Sequence, residues 1–452
     1  MARLLAGALA LAMGLAGCAA PPEVARGPED ALPPLRGFRG APAPLPLPSN
    51  QALAQDFMDL HFRMESGARV PVLSRYEAPI RVAVAGPAAP TLEPDLDALL
   101  RRLRREARLD VERARGDEAN VVVETVPAAI MRRLVPQAAC FVVPNVASWE
   151  EYRRLRRSDA TDWTRLARRD RTAIFLPDGL PPQEIRDCLH EELAQAVGPL
   201  GDLWRLPGSV FNDDNFHAVL TTADMALLRA TYAPELRSGM SEAEAAAALP
   251  AALRRANPAG GTAQPVAARD ASRAFAEAID VALSEDRGWG ARRRAAAHAA
   301  ALAQGRGDAA EGFALYLLGR LTLARDEAEA ARLFGRAAAL YEADPRMEVH
   351  AAHVALQRAA LALQAGAPVE AATLARRHAG AARRAQNAAL LAMLGLVEAE
   401  ALDALGQGRE ARAARLDSLR WARYGFGSDE AVRERQGEIA TLAPPAGGVP
   451  GT

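Results

Sequence analysis

The chain has 452 residues, a net charge of −1 and a half-hydrophobic composition. This length is enough for two or three domains, each with its own core. The balanced charge, with no block of basic residues, gives nucleic-acid binding no electrostatic support, so no nucleic-acid partner is expected.

The N-terminus has the layout of a secretory signal. Arg3 precedes an apolar run over residues 4–15, which is shorter than the roughly 20 residues that a membrane-spanning helix needs. The run ends in Leu-Ala-Gly-Cys18, which resembles the lipobox of bacterial lipoproteins. Residues 1–18 are thus predicted to be a lipoprotein signal peptide with its lipobox. The resemblance implies cleavage before Cys18, which becomes the first residue of the mature protein and carries the lipid. Two or more acyl chains hold a protein stably to a membrane. The alternative is an ordinary signal peptide in which the cysteine is accidental.

The residues after Cys18 favour an outer-membrane lipoprotein that faces the periplasm. Ala19 follows the cysteine, whereas the inner-membrane retention signal usually has Asp at that position. Residues 19–50 are rich in Pro, Ala and Arg, a composition that cannot build a core and favours extended polyproline geometry. We therefore predict a tether between the membrane and the first domain.

Two cysteines remain once Cys18 is assigned to lipid. Cys140 and Cys188 would face an oxidising compartment, in which paired thiols tend to be bridged. The sequence predicts a disulfide between them, and the alternative is two buried free thiols.

Residues 51–257 mix helical and strand patterns, which predicts an α+β domain. Predicted helices cover 51–64, 92–109, 181–197, 222–231 and 241–255. Predicted strands cover 70–73, 80–85, 121–126, 140–143 and 172–176. An Asn-Pro-Ala-Gly-Gly sequence at 257–261 breaks the chain and begins a linker over 258–267.

Residues 268–442 have only helical patterns, and they predict an all-α helical-repeat domain. A Glu-Ala pair opens a second helix at Glu329, Glu370 and Glu410, a recurrence of about 40 residues that is typical of helical-hairpin repeats. The unit resembles a tetratricopeptide repeat, in which stacked helix pairs form a concave surface suited to peptides or proteins. The alternative is a plain Ala-rich helical bundle. Residues 443–452 are predicted to be a disordered tail.

The predicted helix over 181–197 carries the most informative motif. Two registers of this helix can be compared with the zincin motif His-Glu-x-x-His. A register that begins at His190 places Ala194 where the second ligand should be, and it fails. A register that begins one residue later matches His-Glu-x-x-His-x-x-Gly of the metzincin-like peptidases, with Glu and Gln in place of both histidines. This register consists of Glu191, Glu192, Gln195 and Gly198. Glu192 then occupies the position of the catalytic general base.

The same helix carries a wider resemblance. The stretch over 188–198 continues through Ser-Val-Phe-Asn-Asp-Asp-Asn-Phe-His at 209–217 and on to Met240. It resembles an uncharacterised proteobacterial family of domains of unknown function (the DUF-2927 type), often found in lipoproteins. The resemblance covers roughly residues 50–255. It implies a zincin-like fold, similar to a degenerate relative of the zinc peptidases, and no established activity.

The ligand chemistry of this motif favours weak metal binding at most. A catalytic zinc site needs about three protein ligands and a water molecule, and zinc prefers His nitrogen or Cys sulfur. Glu191 can ligate, the Gln195 amide is a weak oxygen donor, and a third ligand would come from Asp202 or His217, or from Asp213 or Asp214 between them. Such an oxygen-rich set favours harder ions such as Ca²⁺ or Mg²⁺. The candidate cofactor is therefore a divalent metal, either calcium or the zinc that the zincin spacing implies.

A purely structural interpretation of the same residues stays open. Glu191 and Glu192 would then form a solvated helix face with His190 as an exposed polar residue. The Asn-Asp-Asp-Asn run at 212–215 is more typical of a turn than of a ligand cluster, because short Asn and Asp side chains bond to their own backbone.

The leading hypothesis is a membrane-anchored envelope module that binds a protein or a peptide, with a degenerate peptidase-like domain. The rival is an active metal-dependent peptidase or hydrolase with Glu192 as general base. The chain has no Gly-rich phosphate loop, nucleophile elbow or Cys-x-x-Cys, which argues against nucleotide enzymes, α/β-hydrolases and thioredoxins.

Overall fold

A computed structural model describes residues 32–64, 66–136, 138–269 and 272–443, apart from the side chain of Asp117. These residues divide into two units, one over 40–273 and the other formed by 32–39 together with 274–443. The predicted signal, Cys18 and the predicted tail beyond Ala443 lie outside the described residues. No helix in the described part of the chain is long and apolar enough to cross a membrane.

The first unit is a small mixed sheet with helices around it, which confirms the predicted α+β class. Its strands are β1 (Ile80–Ala85), β2 (Val111–Arg113), β3 (Val121–Val126), β4 (Phe141–Pro144) and β5 (Thr172–Pro177). Its helices are α1 (Asn50–Phe62), α2 (Leu92–Arg102), α3 (Ala128–Leu134), α4 (Trp149–Leu155), α5 (Pro182–Val197), α6 (Thr222–Thr231) and α7 (Glu242–Ala256). The strand order is β2-β1-β3-β5-β4, in which β4 alone runs antiparallel to its neighbour.

Both faces of the central strands are buried, as the apolar runs in the sequence require. Along β5, Ile174 and Leu176 contribute to the large core that also contains residues of α1, α2, α5, α6 and α7. Ala173 and Phe175 contribute to a smaller core on the opposite face, together with Trp149 of α4. This alternation is the two-residue period of a strand, and it places α5 and α4 on opposite sides of the sheet.

Five elements differ from the prediction. The predicted strand at 70–73 does not form, and Val72 makes only an isolated bridge with Ser241. The predicted helix over 92–109 ends earlier, in a wider π-helical turn over Leu103–Ala107. The strand β2 and the helices α3 and α4 were not predicted, because three to seven residues carry too little periodicity to stand out.

The described residues after 273 in the second unit form helices and no strand, which confirms the all-α prediction. Its helices are α8 (Arg273–Leu283, beginning at the last residue of the first unit), α9 (Trp289–Ala303), α10 (Ala309–Thr322), α11 (Glu327–Glu342), α12 (Glu348–Gln364), α13 (Pro368–Arg384), α14 (Ala388–Ala404), α15 (Gly408–Phe426) and α16 (Asp429–Ala440). Consecutive helices from α9 to α15 pack against one another. Each predicted Glu-Ala pair lies in the first turn of α11, α13 or α15.

Two glycines permit the close helix packing that the repeat pattern implied. A Cβ atom on Gly319 would lie 2.7 Å from Cε1 of Phe334, and one on Gly395 would overlap the hydroxyl of Ser418. A larger residue at Gly319 would therefore push α10 and α11 apart, and one at Gly395 would push α14 and α15 apart. The helices are compatible with helical-hairpin repeats.

The end of the predicted tether contacts the first unit. The backbone amide of Leu45 donates a hydrogen bond to the hydroxyl of Thr222 (2.9 Å), and Asn257 donates to the carbonyl of Pro48 (3.2 Å). Residues 41–49 of the Pro-rich segment form no helix or strand, and they lie against the domain.

Candidate functional site

Helix α5 carries the motif and lies against α2, β4 and β5. Its first residue is Pro182, whose fixed φ suits a first helical turn. Ile185, Leu189 and Leu193 form the predicted apolar stripe, and all three are buried in the large core. The helix is buried around most of its circumference, which is more than an amphipathic stripe implies.

A disulfide joins α5 to the sheet edge. Cys140, directly before β4, is bonded to Cys188 in the middle of α5, with an S–S distance of 1.99 Å and a Cα–Cα distance of 6.0 Å. The predicted disulfide is thereby confirmed, and the alternative of two free thiols is wrong. The covalent bond fixes β4 beside the turn of α5 that carries the candidate site residues.

The C-terminal end of α5 is held by a glycine and a buried arginine. A Cβ atom on Gly198 would overlap the side chain of Leu228. The guanidinium of Arg169 is fully buried and donates to the carbonyls of Gln195 (2.6 Å) and Gly198 (2.5 Å), with the ring of Trp163 at 5.2 Å. Burial lowers the pKa of Arg169 to about 10, so the side chain stays charged at neutral pH and satisfies carbonyls that the helix leaves without partners.

Replacing Arg169 with Met is expected to lower the free energy of unfolding by about 1–3 kcal/mol, because two buried carbonyls lose their donors. The measurement is equilibrium denaturation of the purified chain. The matched control is Arg168→Met, since the side chain of Arg168 is 60 % exposed and its loss should stay within about 0.5 kcal/mol. Equal effects of the two substitutions would contradict the structural role of Arg169.

Glu192 is the central residue of the site. Its side chain is fully buried, and neither carboxyl oxygen has a hydrogen bond of normal geometry. The backbone amide of Val142 in β4 is the donor that approaches it. Burial, with a smaller contribution from the charge of Asp202, raises the pKa of Glu192 to about 8. The carboxyl group is therefore protonated at neutral pH. The interpretation of Glu192 as part of a solvated helix face is wrong, because its side chain is fully buried.

Polar groups from α5 and the following loop gather beside Glu192. Gln195 donates through Nε2 to Oδ2 of Asp202 (3.0 Å). Burial and the charges of Glu192, Asp202 and Asp213 raise the pKa of Glu191 well above its usual range. The structure thus brings three of the predicted metal-site residues, Glu191, Gln195 and Asp202, into the surroundings of Glu192.

The arrangement does not fit a catalytic zinc centre. Within the described residues, no three His, Cys, Asp or Glu side chains converge as a group that could hold a metal ion, although zinc catalysis uses about three protein ligands. His217, the fourth predicted ligand, is buried in the loop that precedes α6. The Gln195 side chain is already hydrogen-bonded to Asp202. A divalent ion at these residues stays a prediction.

His190 is a buried structural residue. Its Nδ1 accepts a hydrogen bond from the backbone amide of Leu220 (3.1 Å). Burial lowers the pKa of His190 well below its usual value, so the ring is neutral at physiological pH. The interpretation of His190 as an exposed polar residue is therefore wrong, because the loop before α6 covers this side of α5.

The Asn-Asp-Asp-Asn run is a turn. Asn212 accepts from the amide of Leu206 (2.9 Å), Asp214 accepts from the amide of Phe216 (3.1 Å), and Asn215 has a left-handed φ of 56°. Short Asn and Asp side chains that bond to backbone amides, and Asn in the left-handed conformation, are common features of turns. The predicted turn is confirmed.

Sequence reasoning missed Asp224. This buried side chain accepts from the hydroxyl of Ser209 and from the amides of Val210 and Thr221. Thr221 and Asp224 form a capping box at the start of α6, and their spacing is the signal that could have revealed it. Arg169 had no such signal, since its partners are set only by the fold.

Comparison with known protein families supports the N-terminal unit as a distinct domain. No curated protein matches the chain. Residues 50–251 match the model of a family described as "Protein of unknown function (DUF2927)", which agrees with the boundaries of the first unit, 40–273. The predicted resemblance is confirmed over residues 50–251, which match this family of unknown function.

Proposed function

We propose that this chain is a membrane-anchored envelope lipoprotein whose N-terminal unit binds an extended peptide without cleaving it. The observation that carries the proposal is the Glu192 carboxyl group, which is buried, has no hydrogen bond of normal geometry and lies near the backbone amide of Val142 in β4. Buried polar groups without partners are rare in folded proteins, and they call for a functional explanation.

The strand next to Glu192 has an edge that can accept a peptide. β4 pairs with β5 on one side and with no other described strand on the other. An edge strand presents backbone donors and acceptors, and an added peptide strand can pair with them. The half-buried side chains of Phe141 and Val142 lie at this edge. The disulfide at Cys140 keeps the edge in place beside α5.

The protonation state of Glu192 is suited to binding a peptide group. Burial raises the pKa of Glu192 to about 8, so most of the carboxyl groups are protonated at neutral pH. A protonated carboxyl has both a donor and an acceptor, and a peptide group also has one of each. Because Glu192 is fully buried, this contact requires the groups that cover it to move when a peptide pairs with β4. Once they have moved, Glu192 is suited to hydrogen-bond a backbone amide.

The location and the second unit of the protein complete the proposal. Cys18 anchors the chain, by its lipobox, to the outer membrane on the periplasmic side. The helical hairpins of the second unit offer the kind of stacked surface on which repeat proteins dock partners. A protein or peptide of the envelope is thus the expected partner.

The test uses the purified full chain and a fluorescein-labelled pool of random ten-residue peptides. We expect saturable binding by fluorescence anisotropy, with the pool intact by mass spectrometry. Glu192→Gln should keep binding within about threefold, because an amide also has a donor and an acceptor. Glu192→Leu should weaken binding by about tenfold or more, which corresponds to about 1.4 kcal/mol. Glu150→Gln, at an exposed position of α4, is the control.

The rival hypothesis of a metallopeptidase predicts cleavage of the peptide pool instead of binding without cleavage. Cleavage of the pool that disappears in Glu192→Gln would overturn the proposal. Stoichiometric zinc or calcium, with an occupancy that falls in Glu191→Ala or Gln195→Ala, would likewise favour the enzyme, since a metal and an ionised base act together in that chemistry.

A further inference from the structure

An extended segment of the predicted tether lies against α15 of the helical unit. The ring of Phe38 stacks on Trp421 at a centroid distance of 4.6 Å and an interplanar angle of 27°. It also meets the ring of Tyr424 edge-on at 6.4 Å. All three residues belong to the same unit. Trp421 and Tyr424 are three residues apart on the helix, so they present their rings on one face.

Arg36 is held at the same face by both its side chain and its backbone. The guanidinium forms an ion pair with Asp417 (2.7 Å) and lies 4.7 Å from the centre of the Trp421 ring. The amide of Arg36 donates to the carbonyl of Arg420 (3.1 Å). The planar guanidinium of arginine stacks on aromatic rings and pairs with carboxylates, and Arg36 makes a contact of each kind here.

Gly37 completes a three-residue pattern. A Cβ atom at this position would lie 3.3 Å from Cε2 of Tyr424, which is tighter than ordinary van der Waals contact. Glycine therefore lets the backbone approach the helix while its two neighbours reach Trp421. Arg36, Gly37 and Phe38 each have a separate contact, so the face distinguishes an arginine, a glycine and an aromatic residue in succession.

We propose that the Trp421–Tyr424 face of α15 is a recognition site for extended peptides with an Arg-Gly-aromatic sequence, which residues 36–38 occupy in cis. The proposal is independent of peptide binding at β4, because it concerns the other unit and other residues. It predicts that a peptide of this sequence on a partner competes with the chain's own segment.

The contacts of Arg36 allow the cis segment to be exchanged for a partner peptide. The side chains of Arg36 and Asp417 are 45 % and 44 % exposed, so solvent and salt screen their attraction. Arg383 lies beside the same two groups, 3.9 Å from Asp417 and 5.6 Å from the Trp421 ring centre. Arg383 can therefore contact both groups after Arg36 leaves, so displacement of the segment does not leave Asp417 without a positively charged partner.

The covalent link sets how strongly the cis segment competes. The segment and α15 belong to one chain, so their contact is intramolecular and does not depend on the protein concentration. A partner peptide that binds more tightly than the cis segment replaces it. Displacement frees residues 33–39, which precede the first unit and follow the predicted lipid anchor.

The test uses the full chain and a fluorescein-labelled heptapeptide, Pro-Pro-Leu-Arg-Gly-Phe-Arg, which copies residues 33–39. The double substitution Arg36→Ala/Phe38→Ala empties the site. We expect this variant to bind the peptide saturably and at least about tenfold more tightly than the unsubstituted chain, because no cis segment competes. A peptide with Val in place of Gly should bind the variant at least about tenfold more weakly.

A charge reversal in the site itself provides the second readout. Adding Asp417→Arg to the double variant should also lower the affinity at least about tenfold. Asp417 is partly exposed, so this substitution should leave the fold intact, and circular dichroism checks that it does. Equal binding by the double variant and the unsubstituted chain, equal binding of the Val peptide, or no binding up to about 1 mM would overturn the proposal.

Discussion

Replacing Glu192 with Gln is expected to raise the free energy of unfolding by roughly 2–4 kcal/mol at pH 8. The reason is that the folded chain loses stability as the buried carboxyl of Glu192 ionises. Glutamine has nearly the same shape and never carries the charge. Glu192 is fully buried beside Asp202, and no hydrogen bond of normal geometry compensates its charge. An ionised Glu192 is therefore costly in the folded state.

The pH dependence follows from the direction of the pKa shift. Glu192 has a pKa of about 8 in the folded chain against 4.5 for the ordinary side chain. Between these values the folded state holds a proton that the unfolded state has lost. Stability therefore falls as the pH rises through this interval, by up to about 1.4 kcal/mol per pH unit, and levels off above it. Below pH 4.5 both states are protonated and the contribution vanishes.

Chemical denaturation at pH 5, 6.5 and 8 measures this effect. The difference between Glu192→Gln and the unsubstituted chain should be small at pH 5 and largest at pH 8. Glu150→Gln is the matched control, since its side chain is 64 % exposed and the substitution should leave the pH dependence unchanged. A Glu192→Gln variant that is less stable at pH 8 would show that the carboxylate is needed in its ionised form.

Loss of the disulfide is the second large effect. Cys140→Ser/Cys188→Ser should lower the free energy of unfolding by about 2–4 kcal/mol, because the bond closes a long loop and so restricts the unfolded chain. The two cysteines are 48 residues apart in the sequence. Equilibrium denaturation, with and without reductant, measures the loss.

The same double variant tests the local role of the bond. Hydrogen exchange should accelerate at β4 and in the middle of α5, which the disulfide joins. Exchange in α12 and α13 of the other unit serves as the internal control. Reductant should have no further effect on the variant. Unchanged stability, together with two alkylatable thiols in the native chain, would contradict the bond.

Long elements with a continuous pattern were predicted well from the sequence. The strand at Val121–Val126 and the helix at Thr222–Thr231 have the predicted bounds, and the Glu-Ala pairs marked α11, α13 and α15. Six or more residues with an apolar run or a helical period contain enough local information. The pairing of Val111–Arg113 with β1 depends instead on residues about 30 positions away, so three residues of sequence could not reveal it.

The sequence by itself determined the spacing of Glu191, Glu192 and Gln195 on one helix and the pairing of the two remaining cysteines. Only the tertiary structure decided the chemical state of those residues. β4 and the loop that carries Asp202 cover Glu192 and keep it protonated, because the pKa of a carboxyl depends on how much water and charge its distant neighbours leave around it. The same holds for Arg36 and Asp417, which meet across 381 residues of sequence. Such contacts have no local pattern, since folding alone brings their partners together.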